Sequence, residues 1–289
     1  MRKKTENITV HRRYNEKHEK HNHVVHMNDN YELYMLLEGE ASISIDGQMY
    51  PVKPYDVLMI TNKEIHKVFV NEEYNYERIY TYFNADYFRQ FNNKECNLLS
   101  AFDHRVGGVG NKIPREIVKK YQIDEDLLNI HKLSISDLPE RKVLMTATFL
   151  KMLVAVRQAH GECEVDTAGD EENLYYNEKI NDVIRYISEN LNDKITLDEL
   201  ASQFYLSKYY LCHEFKRTTG FSVFDYIRYK KMLDAKMRLQ TGQSINEVWC
   251  ELGYEDYSNF YRNFKKATGI SPKEYVAKLK ANEIAGISI

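Results

Sequence analysis

The chain has 289 residues and a formal net charge of −3, with 43% hydrophobic and 29% charged residues. Its length fits two domains of ordinary size. No apolar run approaches the roughly 18 residues that a membrane-spanning helix needs, and the basic start is not followed by the apolar stretch of a secretory signal. The four scattered cysteines are typical of reduced thiols. We therefore expect a soluble, cytoplasmic protein without a membrane partner.

Residues 31–83 alternate apolar and polar side chains in short runs. The strand-like runs are YELYMLL, ASISI, DVLMI and HKVFV, and Asp46-Gly47 lies where a hairpin turn is expected. This pattern predicts a small antiparallel barrel or sandwich over residues 26–85. Residues 1–25 are predicted to be a solvated arm, in which four histidines lie among charged residues: His11, His18, His21 and His23. Contact of this arm with a bound ligand is the alternative.

Residues 86–161 carry apolar side chains at helical spacing, and Gly161 is predicted to follow the last helical turn. The apolar stripe over Val143–Val156 has two interpretations: a dimer seam, which we prefer, or packing against the chain's own barrel. Residues 162–176 are polar and acidic, which is typical of a linker.

Beyond the linker the sequence predicts only helices. Their ranges are Glu178–Asn190, Leu197–Phe204, Lys208–Thr218, Val223–Gln240, Ile245–Leu252, Tyr257–Ala267 and Pro272–Lys280. Capping boxes are predicted at Thr196 with Glu199 and at Ser244 with Glu247. Ser207 and Asp256 are placed to cap the helices that follow them.

An internal repeat relates residues 196–222 to residues 244–271. Leu211 aligns with Phe260, and Phe215 aligns with Phe264. Each copy is a short capped helix, a tight turn and a second helix ending in Thr-Gly, which is the helix-turn-helix pattern. The 18-residue helix between the copies would be about 27 Å long, near the roughly 34 Å repeat of B-DNA. Paired short helices also occur in plain helical bundles, but two copies in register favour DNA binding.

The face of each second helix that points away from its apolar side is the expected DNA-reading surface. The candidates for base contacts are Tyr209, Cys212, His213, Tyr257, Ser258, Tyr261 and Arg262. Arg262 is the strongest of them, because a guanidinium can bind guanine O6 and N7 together. The candidates for phosphate contacts are Lys208, Lys216, Lys265 and Lys266.

Over residues 178–280 the sequence resembles the AraC/XylS family of bacterial transcription regulators, most densely over GYEDYSNFYRNFKKATGISPKEY. The resemblance implies an all-α DNA-binding domain over 177–280, with helix-turn-helix units over 197–218 and 245–267, and a tail over 281–289. Two positions depart from the family pattern. Trp249 stands where alanine is usual, and Cys212 with His213 replaces longer polar residues.

The segment YELYMLLEGEASISIDGQMYPVKPYDVLMITNKEIHKV resembles the cupin barrel that such regulators use to sense an effector. The resemblance implies an effector pocket at four positions: His26, Asn28, Glu32 and His66. A site of two histidines and one carboxylate could hold iron or zinc, but we prefer a pocket without metal or cofactor. A cupin enzyme and an effector-independent DNA-binding protein are the alternatives.

The sequence thus predicts an α+β chain: a cupin-like barrel with a helical dimerisation segment, followed by two helix-turn-helix units joined by a long helix. The expected function is that of a regulator, not an enzyme, with double-stranded DNA, a small-molecule effector (a sugar is one candidate), a second copy of the chain and RNA polymerase as partners. Activation and repression are both compatible with the sequence.

Overall fold

The computed structural model describes residues 6–19, 25–26, 30–105, 107–166 and 178–281. The described strands are β1 (Ile8–Asn15), β2 (Val25–His26), β3 (Tyr31–Glu38), β4 (Ala41–Ile45), β5 (Gln48–Val52), β6 (Val57–Ile60), β7 (His66–Val70), β8 (Tyr76–Phe83) and β9 (Lys112–Ile113). The helices before the linker are α1 (Ala85–Arg89), α2 (Ser100–Asp103), α3 (Arg115–Lys120), α4 (Ile123–Ser134) and α5 (Arg141–Asp166). Those after it are α6 (Glu178–Glu189), α7 (Leu197–Gln203), α8 (Lys208–Thr219), α9 (Val223–Gln240), α10 (Ile245–Glu251), α11 (Tyr257–Thr268) and α12 (Pro272–Lys280). The predicted α+β class, with a β-rich first half and a helical second half, is confirmed.

The strands form two antiparallel sheets in the orders β1-β8-β3-β6-β9 and β2-β7-β4-β5. Side chains of both sheets meet in one buried cluster, in which Tyr34 and Leu36 of β3 lie among Ile43 of β4 and Tyr50 of β5. The two sheets therefore pack face to face and enclose an apolar interior. The β4–β5 hairpin turns at Asp46 and Gly47 as predicted, and both residues have positive φ angles, as a two-residue turn of this kind requires.

The other face of the five-stranded sheet is covered by helices. Leu33 and Met35 of β3 point to this side and share a second cluster with Phe149 and Val156 of α5. Because strand residues alternate between faces, β3 is buried on both sides. This burial explains why its sequence is nearly continuously apolar instead of alternating.

The predicted arm over residues 1–25 is wrong for residues 8–15, which form β1 and pair along their full length with β8. His11 lies on this strand and is half-buried, with its ring 5.0 Å from that of Tyr80. The strand escaped prediction because it is an edge strand with charged side chains, which protect such an edge from unwanted pairing. His18 lies in the turn beyond it, and His21 and His23 fall outside the described residues.

Helix α5 does not end at Gly161 but continues to Asp166, into the predicted linker. Glycine inside a helix costs only about 1 kcal/mol. The following turn is anchored by Glu162, which accepts hydrogen bonds from Lys120 and Tyr121 at 2.7 and 2.9 Å, and by the buried Cys163. The rest of the linker, residues 167–176, lies outside the described residues.

The apolar stripe of α5 packs against the chain's own sheet. Phe149 is fully buried, with its ring 4.9 Å from those of Phe83 and Phe88. Val143 at the start of the helix is instead 71% exposed. The preferred seam over Val143–Val156 is therefore wrong for most of its length, because these side chains already fill the core beneath the sheet.

The helices of the second half start where the sequence predicts and end within one residue of the predicted positions. None of the helices in the described part of the chain combines the length and apolar character that crossing a bilayer requires.

Candidate DNA interface and effector site

Two helix-turn-helix units are formed by α7 with α8 and by α10 with α11. Thr196 and Ser244 complete the predicted capping boxes, and Ser207 and Asp256 cap α8 and α11. Each cap hydroxyl or carboxylate accepts a backbone N–H that would otherwise have no partner. The predicted helix starts are thus set by local chemistry in both units.

The apolar side of each second helix is buried. Leu211 and Phe215 of α8, and Phe260 and Phe264 of α11, are completely inaccessible to solvent. All four belong to one cluster that also contains the buried face of α9. The long helix therefore holds both units through a common core, and the opposite faces of α8 and α11 remain available to a partner.

The outer face of α11 carries four of the predicted base-contacting residues. Ser258 and Arg262 are exposed, Tyr257 is 40% exposed, and Tyr261 is half-buried with its ring 6.1 Å from that of Tyr257. Arg262 forms no hydrogen bond or ion pair with any residue that the structure describes. Its five N–H donors are therefore free to bind an acceptor from outside the chain.

The outer face of α8 carries the other three, but its chemistry differs. Tyr209 is 82% exposed and stacks on His213, with ring centroids 6.2 Å apart, and Cys212 is exposed beside them. The His213 ring lies 3.1 Å from Glu214, a carboxylate that also binds Arg217. The repeat places neutral Asn263 where the first unit has Glu214. Arg217 compensates the charge of this carboxylate, so the first face differs from the second mainly because Glu214 already holds its histidine.

The predicted phosphate-contacting lysines lie at the rims of these faces. Lys208 at the start of α8 is paired with Asp198 of α7. Lys216, Lys265 and Lys266 are exposed in the last turns of α8 and α11, where their charge also offsets the helix dipole. The three C-terminal lysines are thus the more accessible to phosphate.

Two features of the units were not predicted. Tyr205 adopts a left-handed conformation (φ 53°) in the first turn and is 94% exposed, whereas the second turn has Gly253 at the same repeat position. The alignment of the two repeats contained this information, because a glycine aligned with Tyr205 indicates that the turn needs a positive φ at this position. Trp249 is half-buried against the helical core, and its indole N–H has no hydrogen-bond partner among the described residues. The large side chain is therefore accommodated at the cost of one unsatisfied donor.

The predicted effector residues are only partly visible. Glu32 of β3 and His66 of β7 are buried and lie 3.2 Å apart, and so link the two sheets across the interior. His26 is the register partner of His66, but its side chain lies outside the described part, as does Asn28 altogether.

An aromatic group continues this interior face. Tyr82 pairs with Glu32 in the strand register, and its ring lies 5.4 Å from Tyr80 and 6.1 Å from His11. Burial and the neighbouring Arg13 lower the pKa of His11, so its imidazole is neutral at neutral pH. The face therefore offers flat rings, a neutral imidazole and a carboxylate. Sequence reasoning placed His11 on an arm, with an effector contact as the alternative role, and overlooked Tyr80 and Tyr82, because it did not recognise β1 and β8 as strands.

No group of three or more histidine, cysteine, aspartate or glutamate side chains could hold a metal ion within the described ranges. Glu32 and His66 bind each other.

A β domain joined to a helical domain with two exposed reading helices defines a DNA-binding regulator of two domains. Family models agree: residues 10–95 match the AraC-like ligand binding domain, and residues 200–278 match a helix-turn-helix domain.

Known proteins resemble the chain over both domains. The uncharacterized HTH-type transcriptional regulator YdiP of Escherichia coli is 27% identical over 261 residues, which cover 89% of this chain and 82% of that protein. The regulatory protein SoxS of Escherichia coli is 31% identical over 101 residues, covering 35% of this chain and 94% of SoxS. The chain spans about half the length of several other matched regulators. The structure of ToxT from Vibrio cholerae covers 94% of this chain and 98% of its own, at 11% identity and a TM-score of 0.36. The chain belongs to the AraC family of transcription regulators.

Proposed function

We propose that the chain regulates transcription from the cytoplasm by binding a specific DNA sequence, and that a small molecule bound between its two sheets controls this activity. The observation that carries the DNA-binding part is the exposed face of α11, where Arg262 has no partner among the described residues and projects from a helix anchored by buried Phe260 and Phe264. A rigid helix with a free guanidinium is suited to the major groove.

Within residues 177–280 we assign separate roles to the two units. The second unit reads bases through Tyr257, Ser258, Tyr261 and Arg262. The first unit reads them through Tyr209, Cys212 and His213, with lower discrimination, because Glu214 holds His213. Lys208, Lys216, Lys265 and Lys266 bind phosphates and set the register on the duplex.

For the effector we propose a neutral, hydroxylated ring such as a sugar. Glu32 and His66 can exchange hydrogen bonds with hydroxyl groups, and the rings of Tyr80 and Tyr82 can cover an apolar face. The family resemblance adds two further residues to the proposed pocket: His26, the register partner of His66, and Asn28, which lies outside the described residues.

We also propose that the chain acts as a homodimer and as an activator that contacts RNA polymerase. Ile135, Leu138, Val143 and Leu144 remain between 42% and 71% exposed at the α4–α5 connection, and this smaller patch replaces the full stripe of α5 as the dimer surface. The relative named HTH-type transcriptional activator RhaS, from Pectobacterium carotovorum, is in keeping with activation.

Selection from a random-sequence DNA library with the full chain, followed by footprinting on the region upstream of its own gene, tests the DNA-binding part. We expect one enriched motif that contains two blocks about one helical turn apart. If no sequence is enriched over bulk competitor, the proposal of specific binding is wrong.

A panel of aldopentoses and aldohexoses, added to the same footprint and to thermal unfolding of the full chain, tests the effector. The expected sugar changes the footprint and raises the Tm of the wild-type chain, but not that of Glu32→Gln, which keeps the side-chain shape and removes the charge. A footprint that responds to no sugar contradicts the sugar proposal, and one that responds to no metabolite of any class supports an effector-independent regulator.

A further inference from the structure

The tip of the β4–β5 hairpin lies against the first helix-turn-helix unit. The Asp46 carboxylate is buried there, and it accepts a hydrogen bond from Tyr226 at 3.1 Å and two from Lys230 at 2.9 and 3.0 Å. Both donors belong to α9. A charge of the sheet domain is therefore neutralised inside the protein by a charge of the helical domain.

The sheet domain also caps the first reading helix. The Ser44 hydroxyl donates to the Thr219 carbonyl at 2.6 Å, and the Lys67 ammonium donates to the Gly220 carbonyl at 3.2 Å. These carbonyls end α8, and the last carbonyls of a helix have no partner within it and carry partial negative charge. Ser44 and Lys67 thus add to the local cap of α8, in which the left-handed Gly220 donates its N–H to the Lys216 carbonyl.

Two glycines allow the surfaces to approach closely. A Cβ atom on Gly47 would lie 2.3 Å from Cδ1 of Ile184, and one on Gly220 would lie 2.4 Å from Cζ of Phe69. At the equivalent position of the second unit, a Cβ on Gly269 would meet nothing within 4 Å. Both units therefore end their second helix with a left-handed glycine, but only Gly220 of the first unit contacts the sheet domain.

The chemistry of this contact suits reversible association. Burial raises the pKa of Asp46, and Lys230 opposes this shift. The ion pair therefore compensates only in part for the hydration that the carboxylate loses. Buried ion pairs add little net free energy but penalise any misplaced partner strongly. Ile65 supplies an apolar part, since it is fully buried within the helical cluster.

We propose that Ser44, Asp46 and Lys67 form a reversible docking surface for the end of α8 and the facing side of α9, and that its release frees the first reading helix without unfolding either domain. The sheet domain then holds or releases the helical domain at the first unit, while the common core keeps the two units fixed to each other.

Hydrogen–deuterium exchange of the full chain without DNA or effector tests this proposal independently of the proposed function. Lys230→Met leaves Asp46 buried without its cation, so exchange in peptides covering 41–52 and 215–226 should rise by roughly tenfold or more. Exchange in β3 should not change. Lys231→Met is the matched control, because Lys231 binds the carbonyls of Asp193 and Leu252 within the helical domain.

Adding Asp46→Asn to Lys230→Met removes the stranded charge and should return exchange in 41–52 at least halfway to the wild-type rate. Three results would overturn the proposal: unchanged exchange in 41–52 for Lys230→Met, an equal rise in 41–52 for Lys231→Met, or a loss of protection that spreads through β3.

Discussion

Replacement of Arg262 by alanine isolates one base contact with little structural disturbance. The side chain is exposed and has no partner among the described residues, and alanine is the better helix former, so the folded domain should keep its stability. A bidentate contact to guanine is worth about 1–3 kcal/mol of discrimination. Arg262→Ala should therefore weaken binding to the selected site by roughly 5- to 150-fold.

The loss should be specific to the selected sequence. Fluorescence anisotropy of the full chain, at one fixed salt concentration, compares a labelled selected site with a scrambled duplex of equal length. Lys265→Ala is the control on the same helix. It should weaken both duplexes alike and reduce the salt dependence by about one phosphate contact.

The equivalent residue of the first unit provides an internal comparison. His213 stacks on Tyr209 and binds Glu214, so DNA must compete with these contacts. We expect His213→Ala to cost less than Arg262→Ala. Equal losses on selected and scrambled DNA for Arg262→Ala, or a larger loss for His213→Ala, would refute this reasoning.

Three further outcomes are expected. Gly253→Ala places alanine in a left-handed backbone, which costs about 1–2 kcal/mol, and brings its Cβ to 2.5 Å from the Asn192 carbonyl oxygen. Gly269→Ala is the control, because its backbone is also left-handed but its Cβ would meet nothing within 4 Å. Urea unfolding should show a larger loss of unfolding free energy for Gly253→Ala than for Gly269→Ala. The hydrogen bond from the Ser244 backbone N–H lowers the pKa of Glu247, so its stabilisation is complete above the ordinary value of 4.5 and is lost as pH falls through the lowered value. The Tm difference between the wild type and Glu247→Ala should shrink from pH 7 to pH 3, and a constant difference would contradict the capping role. Val143→Asp should convert a dimer to a monomer in sedimentation without changing the circular dichroism spectrum of the folded protomer, because Val143 is 71% exposed in the single chain. An unchanged sedimentation coefficient would remove Val143 from the dimer surface.

The helical half could be predicted from sequence because local signals decide its elements. Thr196, Ser207, Ser244 and Asp256 each accept a backbone N–H close by in the chain, so each helix start depends on only a few residues. The hairpin at Asp46-Gly47 was predictable for the same reason.

The sheet half was harder because its boundaries depend on distant partners. The charged strand β1 becomes a strand only by pairing with β8, about 68 positions further along the chain. Periodicity identified the apolar stripe of α5 but could not distinguish packing on a sheet from packing on a second copy. The contacts of Ser44 and Lys67 with α8 could not be predicted, because both side chains bind backbone carbonyls, which every residue type carries.

Strand β3 contributes side chains to two separate buried clusters, one on each face of its sheet. Tyr34 faces the interior that holds the proposed pocket, while Leu33 and Met35 beside it press on the layer that contains α5. Interiors as dense as molecular crystals do not yield on one side alone. A bound molecule that displaced Tyr34 would therefore also displace Leu33 and Met35. Helix α5, which packs on these two residues, would carry the displacement toward the linker.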